Sequence, residues 1–187
     1  MKVLWLSNGQ IIVANSNAEL PRFAVVSSQQ EWGSTGEDLF KNKRYLQAMH
    51  CFEKAGMHRE FAVAEAYSLR QTSRTLPVGS TEHGIVLLRA ANAFLHCAEE
   101  ATMEKGRRAY YRNAAGCYVE KGDIRQAAKA FYDAKEYALA AEQYRNAELI
   151  DDVTRIIRCH QNEMEPEVVQ KLKVVSRTFY LKELKLE

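Results

Sequence analysis

Basic and aromatic side chains come together in a segment of eight residues near the middle of the chain. Its members are Lys105, Arg107, Arg108, Tyr110, Tyr111 and Arg112. Arginine beside aromatic rings can bind the phosphates of a single nucleic-acid strand and stack on its bases. We favour the alternative that this is the solvated start of a helix, with Tyr111 in the core. Nucleic-acid binding by Lys105, Arg107, Arg108 and Arg112 is therefore the second hypothesis for the chain.

The histidines give no catalytic pattern. They are scattered without a companion motif: His50, His58, His83, His96 and His160. His96 and Cys97 are neighbours, but adjacent residues of a helix point about 100° apart and do not form a nucleophile–base pair. The sequence also lacks the phosphate-binding motif Gly-x-x-x-x-Gly-Lys-Ser/Thr. We predict that the chain is not an enzyme and takes no cofactor.

The cysteines do not indicate a metal centre. They occur singly and never as Cys-x-x-Cys: Cys51, Cys97, Cys117 and Cys159. The pairs His50-Cys51 and Cys159-His160 are too isolated to hold zinc. We expect reduced cysteines on or beside apolar helix faces, where a thiol packs as a small hydrophobic group.

The charge balance is nearly even. The 26 basic and 24 acidic residues leave a net charge of +2, which gives no strong electrostatic reason to expect nucleic acid or membrane as a partner. No stretch reaches the roughly 18 apolar residues of a transmembrane helix, and the apolar run Val3–Leu6 is too short for a signal peptide. The prediction is an intracellular protein, cytoplasmic or nuclear, with no membrane partner.

An aromatic-and-alanine pattern organises the second half of the chain. Tyr111 and Tyr118 enclose an alanine pair, and Tyr137 and Tyr144 enclose another. An aromatic residue, a small pair three and four positions later, and a second aromatic residue after three more share one helix face. Such a face predicts close packing between helices and contains no reactive group.

A longer spacing identifies the type of repeat. Two sets of six residues have the same offsets of 4, 7, 16, 20 and 23 from their first member: Trp32, Gly36, Leu39, Ala48, Phe52 and Ala55, then Tyr111, Ala115, Tyr118, Ala127, Phe131 and Ala134. These offsets are typical of the tetratricopeptide repeat, a helix–turn–helix unit of about 34 residues. Tyr137 restarts the pattern only 26 residues after Tyr111. The predicted fold is therefore all-α, an irregular tetratricopeptide-like right-handed helical solenoid.

About nine helices are expected. Their predicted ranges are 29–43, 45–55, 59–75, 82–103, 105–121, 124–134, 136–147, 150–161 and 166–184. Ser28 and Glu31 form a capping box for the first helix. Before it, Asn8-Gly9 between apolar runs is a β-hairpin signal. We slightly favour the alternative, a frayed, irregular segment with Trp5 packed on the first helices. We predict a lead-in segment at residues 1–28 and a helical repeat domain at residues 29–187.

A family resemblance rests on three stretches near the first repeat. Glu31-Trp32, the run 36–40 and the run 43–56 resemble a segment of large fungal UvrD-like helicases, which are related to the tetratricopeptide and ankyrin repeat-containing protein. In that family the segment follows the helicase core, and the resemblance extends over roughly residues 4–160. It implies an interaction scaffold beside a helicase-like partner. The phosphate-binding loop is absent, so the chain is expected to be a fragment, a truncated product or a stand-alone paralogue.

Peptide binding in a concave groove is the usual function of this repeat. The repeat register places seven polar side chains toward that groove: Asn92, His96, Arg112, Asn113, Glu142, Arg145 and Asn146. The Lys and Asn pattern with which some relatives bind a terminal carboxylate is absent. The main hypothesis is a scaffold for an unknown protein partner.

Overall fold

The computed structural model describes residues 2–5, 11–14, 24–25 and 28–184. A small antiparallel sheet precedes the helices, with strands β1 (Lys2–Trp5), β2 (Ile11–Ala14) and β3 (Ala24–Val25) in that order. Lys2 pairs with Ala14 and Trp5 with Ile11, so the two apolar runs pair as in the hairpin alternative rather than the favoured irregular segment. The expected Asn8-Gly9 turn lies outside the described residues.

The described residues otherwise form nine α-helices and one short 3-10 helix. These are α1 (Gln29–Lys41), α2 (Tyr45–Ala55), α3 (His58–Ser73), α4 (Thr81–Glu100), α5 (Glu104–Lys121), α6 (Ile124–Asp133), α7 (Tyr137–Asn146), α8 (Ile150–His160), the 3-10 turn Gln161–Glu163 and α9 (Pro166–Glu183). The all-α helical repeat fold is therefore confirmed. Ser28 accepts from the backbone N–H of Glu31, and the Glu31 carboxylate accepts from that of Ser28, as the capping box requires. Helix α4 ends three residues earlier than predicted because Ala101 has extended backbone angles.

One turn geometry recurs five times between consecutive helices. In each turn a single residue has positive φ, between 59° and 83°: Lys43, Gly56, Gly122, Lys135 and Glu148. The residue after it donates its backbone N–H, at 2.9 Å in every case, to the carbonyl oxygen five positions back. This bond closes a helix end of the Schellman type and satisfies a carbonyl that would otherwise lack a partner.

The recurring turn sets the repeat length. Within each run of such turns the positive-φ residues are 13 apart, from Lys43 to Gly56 and from Gly122 through Lys135 to Glu148. Two such helices occupy 26 residues, which explains why Tyr137 follows Tyr111 at that distance. The helices in these runs have only 10 or 11 residues. They are too short for a unit of about 34 residues.

The chain forms two compact units, residues 1–65 and 66–187. In the first, Leu39, Ala48, Cys51 and Phe52 are buried together with Ala64. A Cβ at Gly36 would lie 2.7 Å from the Phe52 ring, so the small residue at this repeat position is required for close packing. The predicted domain boundary after residue 28 stays a prediction.

Alanine pairs form the contacts of the second unit. Four pairs are fully buried, one on each of helices α4 to α7: Ala90-Ala91, Ala114-Ala115, Ala127-Ala128 and Ala140-Ala141. Phe94, Tyr118 and Phe131 are buried beside them. Small side chains let the helix backbones approach, and the aromatic rings fill the remaining volume at the density of a protein core. The predicted packing face is confirmed for the alanine pairs, Tyr118 and Tyr137, whereas Tyr111 and Tyr144 are only half-buried.

The cysteine prediction holds for three residues and is wrong for one. Cys51, Cys97 and Cys117 are buried, whereas Cys159 is exposed. Cys159 lies near the C-terminal end of α8, between the exposed Arg158 and the half-buried His160. The apolar stripe of that helix is formed by Val153, Ile156 and Ile157 instead.

Candidate protein-interaction surface

Two arginines of the predicted nucleic-acid patch contact the turn between α6 and α7. Arg108 Nε donates to the carbonyl oxygen of Ala134 at 3.1 Å, and Arg112 forms an ion pair with Glu136. Both contacts reach the turn between α6 and α7. A cation at a helix C-terminus interacts favourably with the partial negative charge of the last carbonyl groups. The first turns of α5 therefore brace the recurring turn centred on Lys135.

The rest of the patch is electrostatically mixed. Glu104 Oε1 lies 2.8 Å from Lys135 Nζ, and Glu104 Oε2 lies 3.7 Å from Arg107 Nη1. The hydrogen bond and charge of Lys135, followed by the charges of Arg107 and Arg108, lower the pKa of Glu104. Arg107 also donates to the Ala101 carbonyl at 3.0 Å. Lys105 alone in the patch has neither an ion pair nor a hydrogen bond among residues 28–184. Because Glu104 pairs with Lys135 and Arg107, the surface of the patch is less basic than its sequence suggested. Nucleic-acid binding stays a prediction.

The groove position Asn113 is covered by helix α3. Its side-chain amide donates to the Tyr67 hydroxyl at 3.0 Å, and its backbone carbonyl oxygen accepts from Arg70 Nη1 at 3.1 Å. A Cβ at the neighbouring Gly116 would lie 3.1 Å from the same Arg70 nitrogen. The side of α5 that the repeat register assigns to the groove is thus occupied by residues from within the chain. Asn113 is half-buried as a result.

Arg70 bonds to several residues of α5, and no sequence pattern singled it out. Its Nη1 also donates to Cys117 Sγ at 2.8 Å, and its Nη2 forms an ion pair with Glu120. Burial raises the pKa of the Cys117 thiol, and the Arg70 charge offsets part of that increase. The thiol therefore stays protonated at neutral pH and serves as a packing group. Arg70 and its partners are more than 40 positions apart in sequence, so no local spacing could indicate the contact.

The remaining predicted groove residues lie on α4 and α7. Asn92 is exposed but accepts from the Tyr118 hydroxyl at 3.2 Å. His96 faces solvent, with its Nε2 3.9 Å from a Glu100 oxygen. On α7, Glu142 and Asn146 are both exposed and lie beside Arg145. Their role in binding a partner stays a prediction.

Arg145 lies in a shallow groove between α7 and α9. The other lining residues are Gln170, Lys171, Val174 and Val175 of α9. The sequence predicted Arg145 as a groove residue but missed its neighbours on α9. The local sequence of α9 does not show which helix would pack against it.

A cluster of aromatic rings joins α6, α7 and α8. The His160 ring stacks on Tyr137 with centroids 3.8 Å apart and planes at 12°. Its Nε2 lies 3.0 Å from the Tyr132 hydroxyl, and its Nδ1 lies 2.9 Å from Glu163 Oε1. Both ring nitrogens are thus used within the chain. In the part of the chain that the structure describes, no group of three or more histidine, cysteine or carboxylate side chains could hold a metal ion.

Comparison with known proteins gives one informative similarity. The chain is 21% identical over 191 aligned residues to the human TPR and ankyrin repeat-containing protein 1. The chain is a helical repeat protein. The alignment covers 92% of this chain but only 6% of the human protein, so the chain spans a small part of that relative's length.

The other comparisons add no relative. No family model matches the chain, and no solved structure does. The similarity to a repeat protein bears out that part of the predicted resemblance, while its UvrD-like helicase and fungal parts find no support in these comparisons. None of the described helices combines the length and the apolar character needed to cross a membrane.

Proposed function

We propose that this chain is a non-catalytic scaffold that binds another protein. The observation that carries the proposal is how its conspicuous polar groups are used. Arg70, Arg108, Arg112 and His160 all bond across helices. Such contacts hold neighbouring helices in position. The described residues contain no assembled catalytic group. Helical repeat proteins commonly use the surface of such a stack to bind partners.

The similarity to the human TPR and ankyrin repeat-containing protein supports the same proposal. That protein is named for its repeats. The fold and the similarity also fit a protein without enzymatic activity. Calorimetry with ATP, with and without magnesium, is expected to give no binding heat. Low-micromolar affinity for ATP would contradict the non-catalytic part of the proposal.

The scaffold itself is tested by crosslinking. The tagged chain is incubated in extract from the cells that produce it, crosslinked and analysed by mass spectrometry. We expect at least one protein to be enriched over a tagged helical protein of similar size and charge, with crosslinks to defined lysines of this chain. No enrichment over that control would contradict the scaffold proposal.

The partner class is a finer part of the proposal. The resemblance of residues 31–56 to UvrD-like helicases supports a helicase-like partner or parent protein. Recovery of a protein that contains the phosphate-binding motif Gly-x-x-x-x-Gly-Lys would support this assignment. Recovery only of proteins without a nucleotide-binding motif would contradict it.

The nucleic-acid hypothesis is tested separately by titration of labelled single-stranded DNA and RNA at two salt concentrations. Each phosphate contact to a single strand lowers the logarithm of affinity by about 0.7 per logarithmic unit of salt. Because Arg107 and Arg108 already contact protein groups, we expect weak binding that changes little in the variant Arg107→Glu/Arg108→Glu. Tight, salt-sensitive binding that this variant loses would favour nucleic acid over protein.

A further inference from the structure

Hydrogen bonds to α8 and to the turn after it fix the position of α9, which forms one side of the groove between α7 and α9. Tyr180 donates its hydroxyl to Asp151 Oδ1 at 2.6 Å, and Lys173 Nζ donates to Gln161 Oε1 at 3.1 Å. These two bonds join the last turns of α9 to α8, and the middle of α9 to the 3-10 turn that follows α8. Helix α9 also contacts α7 directly. The position of α9, and with it the shape of the groove, is set before any partner binds.

Two valines form the apolar part of this groove. Val174 is 55% exposed, and Val175 beside it is half-buried. By contrast, Val169 and Leu172 of the same helix are buried. Helix α9 therefore has an apolar side that faces the core and a separate aliphatic surface that faces the groove. Covering such a surface would release water and favour association.

Two cations flank the valines, and neither cation has a strong partner among the described residues. Lys171 has no ion pair or hydrogen bond within the described part of the chain. Arg145 Nη2 lies 3.6 Å from Glu142 Oε1 and 3.4 Å from Asn146 Oδ1, which are long contacts on an exposed helix surface. Exposed pairs three residues apart contribute little, so a partner carboxylate could replace Glu142 at small cost. Arg145 is therefore held more loosely than Arg108 or Arg112.

We infer that the α7–α9 groove binds a short acidic segment of a partner protein, with an aliphatic side chain against Val174 and carboxylates beside Arg145 and Lys171. This inference rests on the proposed scaffold function and names the chemistry of the partner. Opposite charges orient the segment and raise its rate of association, while the aliphatic contact adds area that is removed from water. Gln170 supplies an amide that can bond to the segment's backbone.

The first test uses a synthetic probe. A short fluorescein-labelled peptide in which leucines alternate with pairs of acidic residues is titrated with the full chain, and fluorescence anisotropy is recorded. Two control peptides keep the length: in one the acids become amides, and in the other the leucines become serines. We expect saturable binding of the acidic leucine peptide and at least tenfold weaker binding of both controls. Equal binding of all three, or no binding of the first, would overturn the inference.

The second test locates the binding site by mutation. Arg145→Glu/Lys171→Glu reverses the two groove charges, and Val174→Ser removes the aliphatic contact. Lys105→Glu/Arg158→Glu makes the same change in net charge at exposed positions that do not line the groove. Circular dichroism checks that each variant remains helical. We expect about tenfold or greater loss of peptide affinity in both groove variants and little change in the matched control.

The outcomes separate this inference from the scaffold proposal. Equal loss in the matched control would mean non-specific attraction of acidic peptide and would overturn the groove assignment. If crosslinking recovers a partner equally with the parent chain and with Arg145→Glu/Lys171→Glu, the scaffold stands and the groove inference fails. If the partner is lost only with the groove variant, both are supported.

Discussion

Replacing Glu148 with glycine should stabilise the protein, although the change removes a whole side chain. Glu148 has φ of 59° in the turn between α7 and α8, a conformation that brings Cβ too close to the following carbonyl oxygen. For a residue with a Cβ this conformation costs roughly 1–2 kcal/mol. Glycine avoids that cost but loses more chain entropy on folding, by about 0.5–1 kcal/mol. The expected net gain is about 0.5–1 kcal/mol in the free energy of unfolding.

Another turn of the same type, between α5 and α6, provides the reverse experiment. Gly122 has φ of 83°, and no neighbouring atom lies within 4 Å of where its Cβ would be. Gly122→Ala should therefore lose about 1 kcal/mol through backbone conformation alone, without a steric clash. Glu148→Ala is the control for loss of the carboxylate and should be nearly neutral, since Glu148 is exposed. The two glycine-related changes are expected to have opposite signs.

Urea unfolding followed by circular dichroism measures all three variants. In a chain of this size, 1 kcal/mol corresponds to a shift in melting temperature of about 2–4 °C, so thermal melts give a second measurement. If Glu148→Gly is destabilised like a glycine inside a helix, or if Glu148→Ala gains as much as Glu148→Gly, the conformational explanation is wrong. Lys135→Gly should gain less, because Lys135 also pairs with Glu104.

Four further measurements test the packing and the titratable groups. Ala127→Arg should cost several kcal/mol, since Ala127 is fully buried and the new charge would have no partner; a parent-like melting temperature would show that the repeat register is wrong. Burial raises the pKa of the Cys51 thiol to about 11, so a thiol reagent at pH 8 should label Cys159 rapidly and Cys51 only on unfolding. The same shift keeps the neutral thiol favoured in the folded state. The contribution of the Cys51 thiol to the free energy of unfolding should therefore be complete below the unfolded pKa of about 8.5 and decline as pH rises towards 11. A constant free energy of unfolding through that range would contradict this expectation. His160→Ala should lower the melting temperature more than His160→Gln, which keeps hydrogen-bonding groups on the side chain; equal losses would mean that only the stacked ring matters.

Helix positions could be predicted because their signals are local. The capping box at Ser28, the glycine at position 122 and the spacing of Tyr137 and Tyr144 each involve residues within a few turns of one another. The small-and-aromatic face also predicted which alanines of α5 and α7 would be buried, since an amphipathic helix packs its apolar stripe against the core. Most helix ends fell within two residues of the predicted positions.

The turn type was only partly visible in the sequence. Gly56 and Gly122 mark two of the five recurring turns, as helix-ending glycines usually do. Lys43, Lys135 and Glu148 adopt the same backbone conformation without glycine. Their residue types favour helix rather than a left-handed turn, so the 13-residue period became evident only from the backbone. Packing of the following helix imposes the conformation at the cost described above.

The amino-acid sequence by itself determined that this protein is a stack of short amphipathic helices, because each helix carries its own packing face. Tertiary structure decided which polar residues remain available to a partner. Asn113 is covered by Tyr67 and Arg70, and Arg108 and Arg112 are bound to the turn after α6, while Arg145 stays partly exposed beside α9. These pairings join residues 24 to 46 positions apart, and a side chain's type and local spacing do not specify which distant group will meet it.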